Sequence, residues 1–313
     1  MSSSATSRPG ALPLPRRLVL LGSVLVDLSL QVPHLPPRGG DVVARPSAPT
    51  AGGGFNVLSA AARLGLPAVY AGRIGGGPFG AVVRSALEAE GIELAFPEPA
   101  VADTGYCAVL VEPAGERTFL TAPGAEAELT AADLAGLRLR DGDAVYVSGY
   151  DLGYPVNGRV LGEYLAGLPA GRLLVVDPGP LVGDIPRSRW AAVLGRTDLL
   201  SLDAREAALL WGADRPGAAR AGPPVVVVRQ GAAGAMLYRA GAPPHLVPAV
   251  PATAVDTTGA GDVHVAALLA GLATGKDLPD AVTYANRAAA YSVTRRGPAT
   301  GPTPAQLAAV PAR

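Results

Sequence analysis

The stretch AVDTTGAGDVHVAALLAGL (residues 254–272) sets two aspartates, Asp256 and Asp262, around a run of small residues and then continues as an apolar helix pattern. Gly259, Ala260 and Gly261 leave backbone N–H groups uncovered where that helix begins. A helix start gathers unpaired N–H donors and the positive end of the macrodipole, so it favours a phosphate or a developing oxyanion. Asp262 falls in the first turn, beside this nest. A carboxylate there can accept a proton from a substrate hydroxyl while the amides hold a transferring phosphoryl group, the two tasks that phosphoryl transfer sets a protein. The same residues also suit local roles, with Asp262 as a helix cap and the glycines as a turn, and spacing alone does not choose.

Outward from this stretch, short apolar runs bounded by Gly, Pro or Asp alternate with helical patterns, the signature of strands and crossover helices in a mostly parallel sheet. Strands are expected at Arg17–Val26, Ala68–Gly72, Ala144–Ser148, Leu173–Asp177, Asp198–Ser201 and Val225–Arg229. Helices are expected near Asn56–Leu64, Phe79–Glu90, Val156–Leu168, Ala204–Trp211, Gly261–Ala273 and Ala281–Thr294. Two segments break the rhythm: Leu30–Thr50 is Pro-rich, and Thr104–Thr121 alternates like a hairpin turning at PAGE. Together they predict a small β lid on the α/β body.

A chain of 313 residues can bury a large core, and 26 basic against 26 acidic residues leave no net charge. Without a long basic run or an aromatic ladder, nucleic acid is not an expected partner, and a small molecule is. The single cysteine, Cys107, makes no internal disulfide and fits a buried thiol in a reducing, cytoplasmic setting. No apolar stretch approaches the roughly 18–20 residues of a membrane span, since Gly22, Ser23 and Asp27 interrupt LVLLGSVLVDL. Residues 1–16, rich in Ser and Pro, are expected to be a disordered tail ahead of one domain over 17–313, with lid segments at about 30–50 and 104–121.

DTTGAGD (256–262) resembles the C-terminal signature of the ribokinase-like (pfkB) family of carbohydrate and nucleoside kinases. AGGGFNVLSAAARLG (51–65) resembles the family's N-terminal Gly-Gly-x-x-x-Asn signature, and GRIGGGPFG (72–80) its following turn. TGYCAVLVEPAGERTFLTAPGAE resembles its lid hairpin, and REAALLWG and YANRAAAYSVTRRG fall in the family's order. The resemblance implies a three-layer α/β/α fold, a mostly parallel central sheet with a small β-sheet lid, and transfer of phosphate from ATP to a sugar or nucleoside hydroxyl.

Residue by residue, the resemblance makes Asp262 the catalytic base and Gly259, Ala260 and Gly261 the anion hole. Asp27, Gly53, Gly54 and Asn56 would bind substrate hydroxyls, and Glu126 stands where many relatives carry Asn. Asp203, Arg229, Gly231, Gly234 and Asn286 would border the nucleotide. Glu206 would help organise Mg²⁺ through water, and Asp256 with the 292–301 loop would form the site for potassium that many relatives use. A homodimer joined at lid edges is the implied assembly.

The departures bear on substrate. Asp203 replaces the Asn of Asn-x-x-Glu, Gly77 stands where a sugar-contacting Asp is common, and acidic Glu126 would repel a phosphorylated or carboxylated substrate. DPGP (177–180) lacks the Asn and Arg common where relatives bind acidic sugars, so a neutral sugar or a nucleoside is favoured. His264, near the base, fits either a core histidine or, protonated, a partner for Asp262. Rival motifs are weaker. GGGPFG (75–80) satisfies Gly-x-Gly-x-x-Gly for a dinucleotide, but Pro78 occupies the turn and no strand-end acid follows about 20 residues on. GLATGKD (271–277) is one residue short of a P-loop and ends in Asp. A sugar-sensing protein that has lost catalysis is the alternative of another class, and the intact Asp262 argues against it.

Overall fold

Every residue of the first strand, β1 (Arg17–Leu21), is buried, and its side chains alternate between two separate cores. Leu18 and Leu20 face one core and Val19 and Leu21 the other, as the two-residue period of a strand requires when helices cover both faces of a sheet. The computed structural model describes residues 12–212 and 222–311. Most of the expected tail lies outside the described residues. Its last part is ordered, because Leu12 packs on the first core and the Arg16 N–H donates to the Gly142 carbonyl at 2.7 Å.

In chain order the remaining strands are β2 (Val24–Gln31), β3 (Arg45–Pro46), β4 (Thr50–Gly53), β5 (Ala68–Ala71), β6 (Glu93–Leu94), β7 (Tyr106–Val111) and β8 (Arg117–Ala122). They continue with β9 (Asp143–Ser148), β10 (Leu173–Asp177), β11 (Leu199–Asp203), β12 (Val225–Arg229), β13 (Ala235–Arg239) and β14 (His245–Val247). The helices are α1 (Phe55–Arg63), α2 (Pro78–Ala89), α3 (Ala131–Gly136), α4 (Gly149–Gly153), α5 (Pro155–Ala166), α6 (Arg187–Leu194), α7 (Ala204–Trp211), α8 (Ala260–Ala273), α9 (Leu278–Val293) and α10 (Pro304–Ala308).

Nine strands form the large sheet in the order β14-β13-β12-β11-β10-β9-β1-β5-β6. It is parallel except at β13 and β14, an antiparallel edge that the sequence reading did not separate from the loop after β12. Helices α1, α2, α8 and α9 cover one face, and α3 to α7 the other. Within α8 the run Val263–Leu272 is buried all round, which is why its pattern is continuously apolar rather than amphipathic.

The expected strand Arg17–Val26 is in fact two strands in two sheets. Gly22 has φ +151°, and a Cβ there would sit 2.1 Å from the Asp151 carboxylate, so only glycine fits where the chain leaves the large sheet. The lid therefore begins at Val24 rather than at Leu30. It is a five-stranded sheet, β3-β2-β7-β8 with β4 also on β2, and the β7–β8 hairpin turns where Glu112 N–H donates to the Glu116 carbonyl.

Strand order reverses between β1 and β9, and in open α/β sheets ligands bind at such a switch point, beyond the carboxyl ends of the strands. A cavity of about 370 Å³ lies there, roofed by the lid and reached by Ser23, Ser148, Asp177 and Arg229 from the ends of β1, β9, β10 and β12.

Candidate active site

Gly259 begins α8 in the left-handed region, φ +73°, and a Cβ there would meet the Pro298 carbonyl oxygen at 2.2 Å. Glycine is thus required for the tight turn that brings the helix start to the cavity. Gly259 and Gly261 line it, whereas Ala260, expected as a third anion-hole donor, does not, because its N–H already donates to the Thr257 carbonyl at 3.2 Å. Asp262 sits in the first turn, where the Asn56 Nδ2 donates to its Oδ2 at 3.0 Å from the start of α1. The second glycine-rich signature and the first therefore meet, although 206 positions separate them. Burial pushes the Asp262 carboxyl up to about 7, Asp177 and Asp27 add to the rise, and Asn56 and Arg229 oppose it. A carboxyl so placed titrates near neutral pH, where a general base is most effective.

Asp27, Gly53, Gly54 and Asn56 line the same cavity as Gly259, Gly261 and Asp262. Asp27 lies inside β2, not after the first strand, with its carboxylate over Gly52, and burial raises it to about 6. The Asn56 Oδ1 is buried with no partner among the described residues.

Arg229 is the cationic centre of the site. Its Nη1 donates to Asp177 Oδ2 at 2.8 Å and to Ser201 Oγ at 2.5 Å, and its Nη2 stands 3.5 Å from Glu206 Oε2. The guanidinium also lies against Gly261, 3.3 Å from where a Cβ would be, so it adds a full positive charge beside the helix-start amides. Burial moves the Glu206 carboxyl upward, Asp177 adds to this, and its hydrogen bond from Asp203 N–H and the Arg229 charge oppose it. Sequence reading did not single out Asp177 as Arg229's partner, nor Tyr150, Tyr154 and Phe119, which line the cavity.

Several expected site residues lie elsewhere. Glu126 is fully buried and does not line the cavity; its two oxygens accept the N–H groups of Gly105 (2.7 Å) and Gly124 (2.9 Å). Its acidity therefore closes the base of the lid rather than screening substrates. Asp203 and Glu206 form a capping box at the start of α7, each side chain accepting the other's backbone N–H at 2.7 Å. Asp203 is thereby committed to the helix end, while Glu206 still reaches the cavity. Asn286 donates to the Val247 and Pro248 carbonyls and faces His264 Nε2 at 3.1 Å, so its amide is fully engaged with protein. Burial lowers His264 to about 3, so the ring is neutral and is not a cationic partner for Asp262. Gly231 and Gly234 flank the turn from β12 to β13, just beyond Arg229, and do not line the cavity.

Asp256, in contrast to Asp262, is held below the usual carboxylate range. Burial alone would raise it, but the N–H groups of Gly297 and Thr258 and the Arg117 guanidinium outweigh that effect. The rival motifs have structural explanations. Asp103 accepts the N–H groups of Phe79 (3.1 Å) and Gly80 (2.9 Å), so a carboxylate of the protein fills the position a pyrophosphate would take in a dinucleotide fold. Lys276 lies past the far end of α8 over the Tyr284 ring, away from the cavity. Among the described residues no helix is long and apolar enough to cross a membrane.

Comparison with known proteins bears on the family and the fold. The family model described as pfkB family carbohydrate kinase matches residues 15–306. An uncharacterized sugar kinase of Escherichia coli, YegV, is 34% identical over 304 residues, covering 93% of this chain and 92% of its own. The ribokinase of Bacillus subtilis is 28% identical, covering 90% and 94%. Arabidopsis thaliana ribokinase, solved with ribose and ATP, superposes with a TM-score of 0.76 at 22% identity, over 95% of this chain and 98% of that one, and so shares the fold.

Proposed function

The chain belongs to the pfkB family of carbohydrate kinases, and on that premise we propose that it transfers the γ-phosphoryl group of ATP to a hydroxyl of a small neutral sugar, ribose- or fructose-like, with Asp262 as the general base. The observation that carries this reading is the meeting of Asp262, at about 7, with Gly259 and Gly261 at the helix start and with Arg229 in one cavity.

In the proposed reaction Asp27, Asn56 and the Gly53–Gly54 backbone bind the acceptor. The unpartnered Asn56 Oδ1 takes a substrate O–H, and Asn56 Nδ2 keeps the Asp262 carboxylate aimed. Asp262 Oδ1 takes the proton of the reacting hydroxyl as its oxygen attacks the γ-phosphorus in line, and ADP leaves. The Gly259 and Gly261 amides and the Arg229 guanidinium meet the charge on the equatorial oxygens, while the Ala260 N–H stays on the Thr257 carbonyl. Glu206 fits Mg²⁺ held through water: it lines the cavity, and Asp203 N–H and Arg229 both engage Oε2, which leaves Oε1 clear of either partner. The ion would neutralise charge on the β- and γ-phosphates. A potassium ion at Asp256 would compete with Arg117 for Oδ1, and no step here depends on one.

A nucleoside acceptor is the second reading, favoured by Phe119, Tyr150 and Tyr154 along the cavity, which could stack on a base. The lid strand β8 exposes Leu120, 69% accessible, at the edge of its sheet, and this supports a homodimer through the lid.

The deciding experiment is coupled ADP release with Mg·ATP across neutral pentoses, hexoses and nucleosides, for the wild type and Asp262→Asn. Turnover should fall by about 10²–10⁴ in the variant with little change in ATP affinity, because the base acts mainly in the transition state. Undiminished turnover would remove Asp262 as the base. Light scattering at micromolar concentration should give the dimer mass, and a monomer would end the assembly reading.

A further inference from the structure

Arg117 opens lid strand β8, opposite Val111 on β7, and points into a second cavity of about 790 Å³ between the inner face of the lid and the loops at 255–258 and 296–298. Across that gap its Nη2 stands 2.8 Å from Asp256 Oδ1. The Asp256 side chain is 9% exposed and that of Arg117 25%, so the pair is partly shielded from water and its geometry is fixed more firmly than that of a surface pair.

Asp256 in turn holds the backbone of the nest from two directions. Its Oδ1 accepts the Thr258 N–H at 2.9 Å and its Oδ2 the Gly297 N–H at 3.0 Å. Thr258 runs directly into Gly259, and Pro298, next to Gly297, is the residue whose carbonyl abuts Gly259. The carboxylate is therefore the pivot of the turn. The N–H groups of Val255 and Asp256 both donate to the Val293 carbonyl at the end of α9, which leaves the side chain as the adjustable part. Donors of an anion hole act only when they lie about 2.7–3.1 Å from the developing charge, so a displaced Asp256 carboxylate would misdirect the amides.

We propose that Arg117 is a positioning residue that couples the seating of the lid to the shape of the phosphate nest. With the lid down, the guanidinium completes the partner set of Asp256 and holds the 256–261 turn in its transfer geometry. With the lid raised, Asp256 keeps only its donors on Thr258 and Gly297 and the turn loosens. The γ-phosphoryl group is then well held only when the acceptor is enclosed and water is excluded, which limits loss of ATP to hydrolysis. The catalytic part of this inference rests on the phosphotransfer reading given above.

The test compares Arg117→Gln and Arg117→Lys with the wild type, first by hydrogen exchange in the ligand-free protein. The amides of Thr258 and Gly297 report directly on Asp256, and their exchange should quicken by about tenfold in the Gln variant and stay near wild type in the Lys variant. Peptides from the buried part of α8 should not change. With an acceptor found in the panel, kcat of the Gln variant should fall by roughly tenfold to a hundredfold while KM for ATP moves less than about threefold, and Lys should restore most of the loss. Unchanged exchange at both amides, or quickened exchange with kcat within about twofold of wild type, would overturn the coupling. If the wild type phosphorylates nothing, the kinase reading falls, and the exchange arm alone still decides whether Arg117 shapes the turn.

Discussion

The two sheets of the molecule use the same apolar residues to different ends. In the large sheet β1 (RLVLL) and β10 (LLVVD) are buried at every position, because helices lie on both faces. In the lid, β2 (VLVDLSLQ) passes from buried to exposed along its length, and most of β8 (RTFLTA) is exposed. A strand buried on both faces reads as a continuous apolar run, and one with a single covered face alternates. The difference divides the work of the site. Asp262, Arg229 and Glu206 stand on elements anchored in the cores, whereas Asp27, Phe119 and Arg117 stand on a thin sheet with few buried contacts, the kind of region that opens at low free-energy cost.

The contrast breaks if truncating an apolar side chain costs as much in the lid as in the body. Leu268→Ala in α8, where the side chain is fully buried, should lower unfolding free energy by about 2–5 kcal/mol. Leu120→Ala on β8 should stay within about 0.5 kcal/mol. Urea titration of both variants makes the comparison. The glycines sharpen it further. Gly259 in the nest and Gly115 in the lid turn both have positive φ, +73° and +86°, so alanine strains either backbone. A Cβ at Gly259 strikes the Pro298 carbonyl, and one at Gly115 meets nothing within 4 Å. Gly259→Ala should therefore cost about 10²–10³ in kcat through displaced amides, and Gly115→Ala less than about twofold, measured by ADP release. Equal losses would mean that strain, not the nest, is being read.

The same contrast explains what could be read in advance. Asp262, Gly259, Gly261, Asn56, Gly53 and Gly54 lie in contiguous motifs at helix starts, so local spacing marks them. The Arg229–Asp177 pair joins the ends of two strands 52 residues apart, and nothing local in either segment announces the partner. The break at Gly22 was hidden because β1 and the first half of β2 are both buried, and one apolar run reads as one strand. Glu126 misled for a related reason. Its carboxylate turns back onto Gly105 and Gly124, a local fold that its place after Gly-Ala does not reveal. Arg117 was legible as part of a hairpin, but its reach to Asp256 depends on how the lid sits over the body.

The last comparison concerns pH, and it sets activity against stability in the same carboxyl groups. With Asp262 at about 7, kcat/KM should rise about tenfold from pH 6 to pH 8 as the base ionises. Stability should move the other way. Asp262 and Glu206 at about 7, and Asp27 and Asp151 at about 6, have folded values above their unfolded ones of 3.8 for Asp and 4.5 for Glu, so between those limits the native state binds more protons than the unfolded chain. Unfolding free energy then falls as pH rises through that window, by up to about 1.4 kcal/mol per pH unit for each group. His264, neutral when folded, contributes with the opposite sign between about 3 and 6.5, which offsets one carboxyl but not four. Urea midpoints at pH 5 and pH 8 should therefore decrease, and Asp262→Asn should flatten the slope by one group's share. Asp27 lies in the lid, so Asp27→Asn should flatten it less, because its window closes about one unit lower. An increase in stability from pH 5 to pH 8 would mean that the carboxyls are not held neutral by burial. The base would then be ionised well below pH 7, and the tenfold rise in kcat/KM would have to vanish with it.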